Sequence, residues 1–178
     1  MRFSPVSTSR NGYADAFSVP TYREVQAQLV VELRRARRYE YPLGVAAISL
    51  LAPARPRGER ANGSAPGSQH EVTPAVYGLL GAYLRNMLRE TDILTGVPES
   101  LAFATFLPGV DRKGAEKALD RFRDGFRECA GFDLRGGVAA FPDDGLTIED
   151  VLDRACDAWR QARRRESADL PEARYSRG

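Results

Sequence analysis

The chain of 178 residues contains little of what metal centres, disulfide frameworks and membrane spans are built from. It has one histidine, His70, and two cysteines, Cys129 and Cys156, that lack CxxC spacing. We therefore expect reduced, buried thiols and no metal site. No signal segment opens the chain, and no apolar run approaches the ~20 residues that cross a bilayer. These absences predict a cytoplasmic protein without a cofactor and without membrane insertion.

Charge is also scarce in net terms, although it is unevenly distributed. The formal net charge is +2, while 43% of residues are hydrophobic and 28% are charged, as in an ordinary globular domain. Arginines cluster at positions 34–38 and again at 160–165. We interpret both clusters as solvated helix faces, so a nucleic-acid partner is not expected.

Composition divides the chain into three parts. Residues 1–19, which include four Ser, one Asn and one Gly, predict a flexible N-terminal segment, and residues 166–178 predict a C-terminal tail. The 146 positions between them, 20–165, predict a single domain that is long enough to bury a core. Within it, residues 52–69 are dense in Pro, Gly, Ser and Arg and predict a long loop.

Hydrophobic spacing predicts the order α-β-α-β-β-α-β-α. Helical spacing begins near Pro20, which we expect in the first turn, and ends before Pro42; Thr147, with Asp150 three residues later, is the expected N-cap of the last helix. This order favours an α+β, ferredoxin-like plan with one mixed, mainly antiparallel sheet flanked by helices. The other predicted elements are strands at 43–51, 93–94, 101–107 and 133–141, and helices at 74–88 and 114–126.

Several short sequence segments, in their order along the chain, resemble the GGDEF family of diguanylate cyclases over about residues 15–165. They are the helix end at 32–39 followed by Pro42-Leu43, the run 88–92, the strand 103–109, and Gly137-Val138-Ala139 near Phe141-Pro142. The resemblance implies the nucleotide-cyclase palm-like fold. It also aligns the family's signature with residues 98–102 or 99–103, depending on the register of one extra turn residue.

The catalytic residues of that family are missing here. In either register the paired glycines and the acidic pair are absent, and Glu99 alone cannot replace them. Glycines would let the backbone approach a triphosphate, and carboxylates would hold Mg²⁺. The resemblance places the metal-binding aspartates at Ser49 and Leu51, and the nucleotide-contacting segment at the 52–69 loop. We therefore predict that the chain is not an enzyme.

The family's RxxD inhibitory pair is retained in Arg89-Glu90-Thr91-Asp92. In the family this pair binds cyclic di-GMP, and a further arginine on the helix after the signature maps to Arg121, or to Arg123 if the register slips. An arginine can donate to guanine O6 and N7, while a carboxylate accepts from N1–H and the amino group. RxxD also occurs at Arg121/Asp124 and Arg154/Asp157, where we expect ordinary i,i+3 ion pairs within helices.

These features predict a cyclic di-GMP receptor that signals to a protein partner the sequence does not identify, with ligand-dependent homodimerisation as a further expectation from the family. The alternatives are a nucleotide-independent protein-interaction scaffold, in which Arg89 and Asp92 form a plain salt bridge, and a GTP sensor. Trp159, at helical spacing with Leu152 and Ala155, is expected in the core.

Overall fold

The structure, a computed structural model, describes residues 19–51, 74–97 and 100–168, with side chains as far as residue 162. The predicted 52–69 loop, Pro98, Glu99, most of the N-terminal segment and most of the tail lie outside the described residues. The described residues form four helices and four strands in the predicted order. They are α1 (Tyr22–Tyr39), β1 (Leu43–Leu50), α2 (Pro74–Met87), β2 (Ile93–Gly96), β3 (Phe103–Pro108), α3 (Arg112–Ala130), β4 (Leu134–Phe141) and α4 (Ile148–Ala168).

The sheet has the strand order β2-β3-β1-β4, and each neighbouring pair is antiparallel. β1 lies at its centre, and all eight of its residues are buried, as its continuous apolar run predicts. The α+β class is confirmed. Among the described residues the one parallel contact is an isolated bridge from Thr21 to Gly96, so the four-stranded sheet is antiparallel rather than mixed.

Two hydrophobic cores cover the two faces of the sheet. Leu33 of α1 and Val151 of α4 belong to one core, together with Phe106 of β3. Leu80 of α2 and Phe122 of α3 belong to the other. The helices therefore form a layer on each side of the sheet. No helix in the described part of the chain is long and apolar enough to cross a membrane.

Helix ends follow local capping chemistry. The prediction that Pro20 occupies the first turn of α1 is wrong, because the helix starts at Tyr22 with Thr21 as N-cap, and the Thr21 N–H donates to Glu24 Oε2 over 2.7 Å. At α4 the predicted cap is confirmed: the Asp150 N–H donates to Thr147 Oγ1 and the Thr147 N–H donates to Asp150 Oδ2, each over 3.0 Å.

The two cysteines lie in different environments. Cys156 is buried, as predicted, and its burial raises the pKa of the thiol. Cys129 is exposed, so its expected burial is wrong. It lies in the last turn of α3, beyond Phe126, the last fully buried position of that helix.

Candidate functional site

Arg89 and Asp92 lie in one tight turn between α2 and β2. The Arg89 N–H donates to Asp92 Oδ2 over 2.8 Å, and the Asp92 N–H donates to Arg89 O over 3.0 Å. These bonds fix the backbone and one carboxylate oxygen, while the Arg89 side chain stays exposed. Among the ion pairs of the described residues, none joins the Arg89 guanidinium to the Asp92 carboxylate.

Both side chains line a cleft of about 220 Å³ between α1, the end of α2 and the edge strand β2. Gln28 of α1 and Arg85 of α2 line the same cleft, and Pro20 and Ile93 are among its apolar lining residues. Its volume lies below the roughly 300–1,000 Å³ of typical ligand pockets. A ligand larger than the cleft would therefore lie partly outside it.

Residues 19–21 close the neighbouring part of the β2 edge. Pro20 O accepts hydrogen bonds from the Gly96 N–H over 3.1 Å and from Thr95 Oγ1 over 2.9 Å. Val19, which the sequence places in the N-terminal segment, is buried against Phe103 and Gly81. The lead-in to α1 is thus part of the sheet edge and supplies one wall of the cleft.

The two α3 arginines have different surroundings. Arg123 is half-buried and donates to Asp120 Oδ1 over 3.1 Å and to Gly136 O over 3.5 Å. Arg121 is exposed, its guanidinium carbon lies 5.6 Å from the centroid of the Phe122 ring, and its charge also acts on Tyr83 of α2. Burial raises the pKa of the Tyr83 hydroxyl, and the Arg121 charge partly offsets that effect.

The structure therefore brings Arg89 and Asp92 together at the cleft but places neither α3 arginine among the residues that line it. Sequence reasoning missed Arg85 and Gln28. The available signal for Arg85 was its position four residues before Arg89.

Among the described ion pairs, none joins Arg121 to Asp124 or Arg154 to Asp157, so both predicted pairs are wrong. Asp157 pairs with Arg160 over 2.9 Å, and the ion pair observed nearby on α3 joins Asp120 to Arg123 over 3.1 Å. In each observed pair the acidic residue precedes the basic one, the orientation that the helix dipole favours.

The side chain of Ser49, which the resemblance aligns with a metal-binding aspartate, makes a contact in the core. It is 4% exposed, and its Oγ accepts a hydrogen bond from Trp159 Nε1 over 2.8 Å. Trp159 itself packs against the hydrophobic core, as expected. In the described ranges no group of three or more His, Cys, Asp or Glu side chains could hold a metal ion.

No protein-family model matches the chain, and no curated protein matches its sequence. Solved structures match its fold. The GGDEF domain of TpbB (YfiN) from Pseudomonas aeruginosa superposes with a TM-score of 0.65 at 19% identity, over 84% of this chain and 87% of that one. The structure of the coiled coil and GGDEF domain of DgcB from Caulobacter crescentus was solved in complex with c-di-GMP. It superposes with a TM-score of 0.62 at 11% identity, over 84% of this chain and 79% of that one.

A third similar structure is the diguanylate cyclase SiaD from Pseudomonas aeruginosa, solved in complex with its activator SiaC. It gives a TM-score of 0.64 at 19% identity, over 84% of this chain and 56% of that one. Identities this low show a shared fold. The chain has the fold of a GGDEF domain.

Proposed function

We propose that the chain is a catalytically inactive GGDEF-like domain that acts as a cyclic di-GMP receptor and signals to a protein partner. One observation carries the proposal. Arg89 and Asp92 line the same cleft, and their side chains do not pair with each other among the described ion pairs. A plain salt bridge, the alternative reading of the motif, would join them.

The chemistry of the turn suits guanine. Arg89 can donate two hydrogen bonds to O6 and N7, and the Asp92 carboxylate can accept from N1–H and the exocyclic amine. One Asp92 oxygen is already oriented by the Arg89 N–H, so little side-chain freedom is lost when the carboxylate binds. The GGDEF-fold protein DgcB, which was solved with c-di-GMP, supports this choice of ligand by analogy of fold.

Arg121 is the α3 arginine that we assign as an outer contact to the part of the ligand outside the cleft. Its side chain is exposed, whereas the Arg123 guanidinium is already shared between Asp120 and the Gly136 carbonyl. Arg123 would have to break those contacts to reach a ligand. Arg121→Ala should therefore weaken binding more than Arg123→Ala does, and the reverse order would count against this assignment.

The proposal of catalytic inactivity rests on the burial and hydrogen bonding of the Ser49 side chain. A hydroxyl that is buried and bonded to Trp159 Nε1 supplies no anionic ligand for Mg²⁺. Formation of cyclic di-GMP from GTP and Mg²⁺ by the purified chain would contradict this part of the proposal.

The protein partner is also part of the proposal, and the SiaD–SiaC complex supports it by showing that a GGDEF-fold protein can assemble with another protein.

Isothermal titration with cyclic di-GMP tests the receptor assignment. The unaltered protein should bind, and Arg89→Ala should weaken binding by roughly ten- to a hundredfold, because it removes charge-assisted hydrogen bonds. Arg154→Ala is the matched control, since Arg154 also begins an RxxD sequence but is exposed on α4 and does not line the cleft. Equal affinity in all three proteins would contradict the site.

A further inference from the structure

The exposed face of α1 carries apolar residues where a surface helix usually carries charged ones. The residues that α1 buries recur at helical spacing, and Val31 lies midway between two of them, Leu29 and Leu33. It is therefore about 200° around the helix from each and faces away from the core. Val31 is 46% exposed and Val30 is 37% exposed, and Ala27, one turn before Val31, is exposed as well. These three residues form an apolar strip that the described part of the chain leaves exposed.

A groove of about 840 Å³ lies beside this strip, between α1 and the end of β3. Ala27 and Val31 line it from α1, and Pro108 lines it from β3. Tyr41 lines it too, and its Oη donates to Glu32 Oε1 over 2.6 Å, which holds the ring in place. Val31 is therefore part of a groove with apolar side chains on both walls, and the volume lies within the roughly 300–1,000 Å³ of pockets that bind ligands.

The two glutamates of α1 are already engaged within the chain. Glu24 Oε2 accepts hydrogen bonds from the Thr21 N–H over 2.7 Å and from Thr21 Oγ1 over 2.8 Å. Glu32 Oε1 accepts from Tyr41, and Glu32 Oε2 lies 3.5 Å from Arg35 Nη1. The arginines of the same helix are Arg23, Arg34, Arg35, Arg37 and Arg38. Positive charge therefore predominates on α1.

Arg34 and Arg38 flank the apolar strip. They lie three and seven residues after Val31, so they share its face of the helix. Both are exposed, and among the described ion pairs none involves either of them. The Arg38 guanidinium carbon lies 5.6 Å from the centroid of the Tyr39 ring, a contact that adds no negative charge. An acidic group from another molecule would therefore meet two cations beside the groove.

From this combination of an apolar groove and flanking arginines, and resting on the protein partner in the proposed function, we propose that the groove binds an acidic amphipathic helix of that partner. The apolar side chains of the helix pack against Val31 and Pro108, and its carboxylates pair with Arg34 and Arg38. A nucleic-acid backbone would leave the valines without a packing partner, and a flat membrane surface would leave the groove unfilled.

The groove also adjoins the proposed ligand site. Gln28 lines both the groove and the cleft, and Thr91, which lies inside the RxxD turn, lines the groove. A helix in the groove therefore contacts the same turn that contains Arg89 and Asp92. The proposed partner surface is adjacent to the proposed cyclic di-GMP site.

The test uses a fluorescein-labelled helical peptide as long as α1, with leucines along one face and glutamates beside them, and fluorescence anisotropy follows its binding to the full chain. The unaltered protein should bind it, and added salt should weaken binding because exposed ion pairs are screened. Val31→Asp and Arg34→Glu should each weaken binding by roughly tenfold or more, since each places negative charge against the peptide. Leu79→Asp on α2 and Arg154→Glu on α4 are matched controls, because both residues are exposed and neither lines the groove. They should stay within about twofold.

Thermal unfolding of each variant separates docking from stability. Arg38 lies in the last turn of α1, where a cation stabilises the helix through its dipole, whereas Arg34 lies before that turn. The Tm of Arg34→Glu should therefore stay close to that of the unaltered protein. Arg34→Lys keeps the charge and should bind the peptide nearly as well as the unaltered protein.

The inference is overturned if the unaltered protein does not bind the acidic peptide, or if it binds a peptide of the same residues in scrambled order equally well. Binding of duplex DNA or phosphatidylglycerol vesicles in its place, abolished by Arg34→Glu, would also overturn it. The receptor assignment fails separately. Binding of cyclic di-GMP without the peptide removes only the docking surface, and binding of the peptide without cyclic di-GMP removes only the receptor.

Discussion

Two threonines in adjacent strands show how much a single buried hydroxyl depends on its neighbours. Thr95 and Thr105 are both fully buried in the sheet. Thr95 Oγ1 lies 2.9 Å from Pro20 O and so ties residues 19–21 to β2. Thr105 Oγ1 has no hydrogen-bond partner among the described residues. Buried hydroxyls are usually paired, so the two positions should respond differently to the same substitution.

Thr95→Val is expected to lower the free energy of unfolding by about 1 kcal/mol, because it removes a hydrogen bond while keeping side-chain shape. Thr105→Val should cause no loss, or a small gain, since it replaces an unpaired polar group with a methyl group. Urea unfolding followed by circular dichroism measures both. Equal losses in the two variants would show that the Pro20 contact contributes nothing.

At the level of single residues, the sequence identifies only part of the candidate site. Arg89 and Asp92 can be found because the motif is local: three residues span one turn, and backbone hydrogen bonds close it. Gln28 cannot be found in this way, since it lies 61 positions before Arg89 and reaches the cleft only through the packing of α1 on the sheet. Arg85 is intermediate between these two cases. Its spacing of four residues from Arg89 indicates that both lie on the same face of a helix, but it does not indicate that this face lines the cleft.

Among the elements, α4 approaches the sheet closely at Gly137 of β4. A Cβ at this position would meet backbone atoms of α4, namely Trp159 N, Ala155 O and Ala158 C. Backbone cannot move aside as a flexible side chain can. This close packing also brings the Trp159 indole to Ser49. The same packing therefore buries Ser49.

Gly137→Ala should destabilise the protein by about 1–3 kcal/mol, the usual effect of forcing extra volume into a packed interior. Gly96→Ala is the matched control at the end of β2, where a Cβ would meet no atom within 4 Å. It should be close to neutral. Guanidinium chloride unfolding compares the two, and similar losses in both would mean that the α4–β4 approach is not the cause.

Element order could be predicted because apolar spacing differs between helices and strands. Element ends were predicted less well, since they depend on caps. α3 was expected over 114–126 but runs from Arg112 to Ala130, because Asp111 accepts from the Gly114 N–H and Gly131 ends the helix with φ 72°. The lead-in at residues 19–21 was not predicted as part of the sheet, because its single bridge to β2 has no sequence pattern.

For the whole molecule, the sheet separates the Arg89–Asp92 turn from Ser49. Ile93, next to the Arg89–Asp92 turn, pairs with Phe106, which pairs in turn with Val45 of β1. Ser49 lies four residues further along β1, about 13 Å away along the strand. The two sites therefore lie towards opposite ends of the sheet. The proposed receptor therefore needs no group from the Ser49 end of the sheet.

The measurement that tests the receptor claim most directly is thermal unfolding of the unaltered protein during titration with cyclic di-GMP and, separately, with GTP and Mg²⁺. A ligand that binds only the folded state adds about 2.7 kcal/mol at a hundred times its Kd, a rise in Tm on the order of 5–10 °C for a domain of this size. We predict this rise with cyclic di-GMP and none with GTP. An unchanged Tm with cyclic di-GMP would contradict the account and favour an interaction scaffold, and a rise with GTP alone would favour a GTP sensor.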